Sequence, residues 1–128
     1  MNYVHIVALL AVVEYMAFAA LVGRARIKYR VLAPATSGHE QFERAFRVQM
    51  NTLEQLVAFL PALLIASLYW PQGAVAGVGA VWLVGRLLYR RLYMAAPARR
   101  APGFILTVLP TALLLIAALL GAATRHAG

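Results

Sequence analysis

The sequence predicts an all-α integral membrane protein, a bundle of four transmembrane helices, and three observations predict it. Hydrophobic residues fill 63% of the 128 positions, against roughly 45–50% in an ordinary soluble domain. They gather into four runs, each about the 20 residues that cross a bilayer, so helices are expected at approximately 3–23, 42–70, 74–95 and 103–123. Basic residues cluster at the ends of these runs. The length suits a single membrane domain, 1–128, and leaves no room for a separate soluble one.

The formal charge of +8 comes from twelve Lys and Arg against four Glu. A balance this basic can mark a nucleic-acid partner, but here the cations sit where membrane orientation accounts for them, so no nucleic acid is expected. The chain has no cysteine. It therefore has no disulfide and no thiol nucleophile of its own, and any sulfur chemistry must use a substrate's thiol.

The first run, Tyr3 to Val22, is apolar apart from His5 and Glu14. No basic segment precedes it and it exceeds a signal peptide's apolar core, so it reads as a retained helix. Glu14, near its middle, is either a neutral or hydrogen-bonded carboxyl facing the bundle or a proton or cation site. Gly23 to Gln41 reads as a basic, polar connection carrying Arg24, Arg26, Lys28 and Arg30, then Pro34 and Gly38.

The second helix organises the chain. Arg44, Arg47, Asn51 and Glu54 are spaced by three, four and three residues and so share one helical face, which Gln49 and Gln55 flank. The same helix continues apolar to Trp70, with Pro61 freeing a carbonyl one turn earlier. Ionisable groups carried into hydrocarbon cost a few kcal/mol each and usually face a partner, a cavity or a ligand. Taken alone, the stripe reads equally as a functional site or as an interhelical network that fixes packing.

A short uncharged turn, Pro71 to Gly73, makes helices two and three antiparallel neighbours. Gly73, Gly77, Gly79 and Gly85 permit close approach along helix three. Its last turns carry Arg86, Tyr89 and Tyr93 on a single face, with Arg90 and Arg91 directed to lipid phosphate or solvent. Ala95 to Gly103 is a basic connection broken by Pro97 and Pro102, and helix four, with Pro110 inside it, follows. Among basic residues only Arg125 lies at the other face, so both basic connections are expected in the cytoplasm and both termini outside. No metal site is expected, because His5, His39 and His126 are far apart and lack ligand-like neighbours.

The run FERAFRVQMNTLE, the earlier RARIKYRV and the later GRLLYRRLYMAAPARRAPGF resemble the MAPEG family, the membrane-associated proteins of eicosanoid and glutathione metabolism. The resemblance covers essentially the whole chain. It implies a homotrimer of four-helix protomers, binding glutathione as co-substrate between neighbouring subunits near the cytoplasmic face. It further implies that Arg47, Gln49, Asn51 and Glu54 hold the glutathione peptide with help from Arg26. Arg86, Tyr89 and Tyr93 would complete the pocket, and Arg100 would lie beside the sulfur.

The chemistry suits these residue types. Glutathione presents two carboxylates and an ammonium group, which call for guanidinium forks and a carboxylate such as Glu54; Asn51 and Gln49 can pair with its amides. A guanidinium near the sulfur favours the reactive thiolate. Arg100 is the choice for that role, with adjacent Arg99 as rival and Tyr93 as a second donor. The thiolate would attack a lipophilic electrophile arriving from membrane lipid, or reduce a lipid hydroperoxide.

The leukotriene-synthase branch of the family has Tyr after the helix-two Glu, where this chain has Gln55, which favours a general glutathione transferase. Two alternatives stand beside it: a small multidrug antiporter exchanging protons at Glu14, and a non-catalytic lipid-binding member of the family. The membrane would be a bacterial inner membrane or the endoplasmic reticulum. The electrophile is not legible in the sequence.

Overall fold

The computed structural model describes residues 1–125; His126 lies outside them. Among the described residues all regular secondary structure is helical, with α1 at Tyr3–Tyr29, α2 at Glu40–Ala66, α3 at Gln72–Ala95 and α4 at Ala101–Thr124. A single 3₁₀ turn, Pro97–Arg99, joins α3 to α4. Each of the four helices is long and apolar enough to cross a bilayer. Large apolar side chains such as Leu9, Val57 and Leu109 stay exposed on the outside of the bundle, as a lipid-facing surface requires.

Helix α1 runs past the connection expected at Gly23. Nothing in Arg24 to Tyr29 breaks a helix, and one interior glycine costs only about 1 kcal/mol. It stops where Arg30 turns left-handed, at φ 57, and Val31 N–H closes on the Arg26 carbonyl at 3.0 Å. Arg24, Arg26 and Lys28 are thus fixed on helical faces rather than in a loop.

Helix α2 begins two residues earlier than expected, capped by His39, whose Nδ1 accepts from Gln41 N–H at 3.1 Å. It ends at Ala66 rather than Trp70. The last four residues tighten into turns that accept through Ile65 and Ala66, because Trp70 precedes Pro71 and is pushed out of helical geometry. Its indole donates instead to the Ala117 carbonyl of α4 at 2.7 Å. Helix α4 starts at Ala101, ahead of the expected 103, since Pro102 sits in the first turn where a missing N–H costs nothing.

The four helices form a lozenge. Helix α3 packs most heavily on α4 and α1 on α2; α2 also meets α4 and α1 meets α3, while α2 and α3 share the short diagonal and α1 and α4 scarcely meet. The core lies on that diagonal, where Phe59 and Trp82 stack at 4.3 Å beneath Val4, Val7 and Leu63. Of the helix-three glycines, Gly73 and Gly77 have open space around them. At Gly85 a Cβ would come within 2.8 Å of the Leu106 backbone. Gly103 similarly lies against the backbone of Tyr89, so α4 rests on α3 with no side chain between them at either point.

Candidate functional site

One end of the bundle collects the end of α1, the start of α2, the end of α3 and the start of α4. There the helical period of α2 turns Arg47, Asn51 and Glu54 to one side, and α3 brings Tyr89 and Tyr93 opposite them. With Arg100, at the start of α4, they line a hollow of about 290 Å³. A second hollow of about 460 Å³ shares Asn51, Tyr89 and Arg100 and is floored by Phe104. A third, of about 450 Å³, shares Arg47 and Tyr93 and reaches Arg44 and Glu43. Together they make a polar cleft of the size that takes a small peptide-like ligand.

Each wall has a cause. The Tyr89 and Tyr93 rings lie 5.6 Å apart, one helical turn from each other, and the bare Gly103 lets α4 settle against Tyr89, which carries Arg100 to the cleft. Arg100 also donates to the Pro97 carbonyl at 3.0 Å. Arg99 is exposed at the end of the 3₁₀ turn and lines none of these three hollows. Arg44 ties α2 to the end of α3, donating to the Met94 and Ala95 carbonyls at 3.0 and 3.2 Å while pairing with Glu40.

Arg86 lies beneath the cleft, wholly buried. Its Nη2 donates to Asn51 Oδ1 at 3.0 Å and to Thr52 Oγ1 at 2.8 Å, and its guanidinium sits 4.2 Å from the centre of the Tyr89 ring. It therefore touches the cleft only through Asn51 and Tyr89. Among the described residues its Nε and Nη1 have no hydrogen-bond partner, nor does the buried Oε1 of Glu14 on α1. Thr52 was not legible as part of this arrangement, since a threonine in an apolar helix carries no signal until an arginine meets it. Phe104, inside the apolar run of helix four, carries no polar signal either.

Arg26 and Gln49 stand apart. Gln49 is two residues from Arg47, roughly 200° around the helix, so it faces α1, where its amide reaches the Tyr15 hydroxyl at 3.5 Å. The expectation that it flanks the Arg47 face is corrected by that angle. Arg26 donates to the Ala35 carbonyl at 2.7 Å and lies over the Phe42 ring at 4.7 Å. Within one chain, six of the nine candidate residues meet around the cleft, Arg86 supports it from below, and these two are elsewhere. No three His, Asp or Glu side chains gather as metal ligands among the described residues.

The MAPEG family's sequence profile matches residues 4–120. The chain belongs to the MAPEG family. It is 47% identical over 115 residues to an uncharacterized protein of Synechocystis, covering 90% of this chain and 84% of that one. It is 38% identical over 117 residues to microsomal glutathione S-transferase 2 of Homo sapiens, covering 91% and 80%. Leukotriene C4 synthase of Cavia porcellus is 41% identical over 97 residues, covering 75% and 65%. This MAPEG protein is accordingly a multi-pass integral membrane protein, a four-helix bundle whose polar cleft opens at one end.

Proposed function

We propose that this MAPEG protein is a membrane-bound glutathione transferase, with the α2–α3–α4 cleft holding glutathione as co-substrate. The observation that carries this reading is the convergence of Arg47, Asn51, Glu54, Tyr89, Tyr93 and Arg100 on one cleft. Arg47 suits a glutathione carboxylate, Glu54 its ammonium group, and Asn51 an amide. Arg100 is the group that holds the sulfur as thiolate, with the Tyr93 hydroxyl as an additional donor. A free thiol of pKa near 8.5 is only a few per cent ionised at neutral pH, and a nearby guanidinium in a partly dry site favours the anion.

In conjugation the sulfur electron pair forms a C–S bond with a lipophilic electrophile, and the leaving group departs with its bonding pair or an opened ring oxygen takes a proton. With a lipid hydroperoxide, the sulfur attacks the terminal oxygen, the O–O bond breaks and the lipid alkoxide leaves to take a proton as the alcohol, and a second glutathione converts the sulfenic acid to disulfide and water. Gln55, beside Glu54, favours a general transferase.

The separation of Arg26 and Gln49 from the cleft supports a site completed by a neighbouring copy, the homotrimer that family resemblance implies. We further propose that the four helices act as one domain and that the cleft faces the cytoplasm with both termini outside, since the basic connections lie at the cleft end.

The test is the ultraviolet thiolate signal on mixing detergent-solubilised protein with glutathione near neutral pH. The signal is expected with wild type and lost in Arg100→Ala. If wild type gives no signal and calorimetry detects no glutathione binding, the transferase reading fails. Binding of glutathione without turnover would mark a non-catalytic lipid-binding member instead.

A further inference from the structure

A second polar hollow lies on the other side of the same bundle end. It holds about 210 Å³ between α1 and α3, against the start of α2, and three cations line it: Arg24 and Lys28 from α1 and Arg90 from α3. Gln41 and Tyr29 add an amide and a phenol to its wall, and Leu21 and Met94 supply apolar surface. Arg24 and Lys28 stand one helical turn apart on a face of α1 opposite Arg26. They reach this side because α1 stays helical to Tyr29.

Arg90 distinguishes the hollow from an ordinary basic rim. Its Nη1 is out of contact with solvent and has no hydrogen-bond partner among the described residues. The guanidinium lies 5.6 Å from the centre of the Phe18 ring, which engages its face but leaves the N–H edge unmet. A buried cationic donor without an acceptor is unfavourable, and a small shift of the Arg90 side chain toward the hollow would let an anionic oxygen relieve it.

No carboxylate among the described residues pairs with Arg90, and Glu54 lies on the α2–α3–α4 cleft instead. Glu40 pairs with Arg44, and Glu43 accepts from Gly38 N–H at 3.3 Å. Glu14 lies one turn before Phe18 on α1, and its buried Oε1 meets no donor among the described residues, so it does not pair with Arg90. The hollow sits where the apolar spans meet the basic connections, so an anion there lies at headgroup depth with apolar walls beside it.

We propose that this hollow binds the phosphodiester headgroup of an anionic phospholipid, with Arg90 as its innermost anchor and Arg24 and Lys28 closing over the phosphate. The site is independent of what the α2–α3–α4 cleft binds. The shared chemistry is a phosphate oxygen meeting guanidinium and ammonium donors, which free phosphate also offers. Position at the membrane boundary and the apolar flank formed by Leu21 and Met94 favour the lipid.

Wild type, Arg90→Leu and Arg91→Leu, purified in detergent, are titrated with phosphatidylglycerol, phosphatidylcholine or inorganic phosphate. Native mass spectrometry reads retained lipid, and thermal unfolding reads stabilisation. Wild type is expected to retain phosphatidylglycerol in preference to phosphatidylcholine. Arg90→Leu is expected to weaken retention by about tenfold or more, the factor of one charge-assisted hydrogen bond. Arg91, exposed and off the hollow, serves as control and its variant is expected to match wild type.

If Arg90→Leu does not fold, the exposed pair Arg24→Gln with Lys28→Gln is expected to weaken retention in the same direction. Equal losses in the Arg90 and Arg91 variants, or equal retention of the two lipids, would overturn the proposal. Stabilisation by inorganic phosphate as large as that by phosphatidylglycerol would overturn its assignment to a lipid.

Discussion

Arg86 on α3 donates to the Thr52 hydroxyl of α2 at 2.8 Å, and that hydroxyl in turn donates to the Val48 carbonyl at 2.8 Å one turn below. The threonine serves as acceptor and donor at once, so a buried guanidinium is joined across the short diagonal of the bundle to the backbone of α2. The same nitrogen reaches Asn51, which is the link between the core and the cleft.

Arg86→Met is expected to lower stability by about 1–3 kcal/mol, the cost of leaving buried polar partners unmet, read as a fall in melting temperature in detergent. Thr52→Val keeps the shape and the Asn51 contact, so its loss is expected to be smaller. Arg86→Lys should not restore wild-type behaviour, because one ammonium group lacks the planar fork that reaches both partners.

Arg100→Ala is expected to change the pH dependence of conjugation. With the guanidinium beside the sulfur, the thiolate is present below the free thiol's pKa, so the wild-type rate stays high toward neutral pH. Without it the rate should rise with pH up to about 8.5, the range of the free thiol, each restored pKa unit corresponding to about 1.4 kcal/mol. Initial rates from pH 6 to about 9 against a model aryl halide measure this. Identical profiles would remove Arg100 from the sulfur, and Arg99→Ala would be profiled next.

Gly103→Ala is expected to push α4 off Tyr89 and to cost about 1–3 kcal/mol by overpacking, with weaker glutathione binding because Arg100 starts the same helix. Gly77→Ala meets nothing within 4 Å. It is expected to be neutral or stabilising by about 0.4–1 kcal/mol. Paired thermal melts decide whether the close approach or the glycine content matters.

Arg26→Ala with Gln49→Ala in one chain and Arg47→Ala with Asn51→Ala in another should each be inactive alone. If the site is shared between copies, co-expression restores part of the activity, because a mixed assembly places one intact half-site from each chain together. No recovery, with mixed assemblies demonstrated by tagged pull-down, would confine the site to one chain.

The absence of cysteine makes orientation directly measurable. Ser37→Cys and Arg99→Cys are expected to react with a membrane-impermeant maleimide only after the cytoplasmic side is opened, and Gln72→Cys without opening. The opposite pattern would invert the assignment from basic residues.

Read alone, the amino-acid order settles what is local. Hydropathy along the chain marks four spans, because about 20 apolar residues are what a bilayer demands of any helix. The spacing of Arg47, Asn51 and Glu54 places them together, because the helical period belongs to the backbone and not to its neighbours. Residue types suited to glutathione were readable in the same way, and their fit to the MAPEG pattern extended that reading over the chain.

The tertiary structure decided what depends on how helices are rotated against one another. Arg86 and Tyr89 look alike as members of one stripe, yet packing buries Arg86 completely against Thr52 and leaves Tyr89 as a wall of the cleft. Arg26 and Gln49 belong to the same expected site but turn away from it, and Arg90, expected to meet lipid phosphate or solvent, lines a hollow with one edge buried. These outcomes rest on close contacts such as Gly103 against Tyr89 and Gly85 against Leu106. Such contacts set the azimuth of α4 on α3, and no periodicity within a single helix encodes that angle.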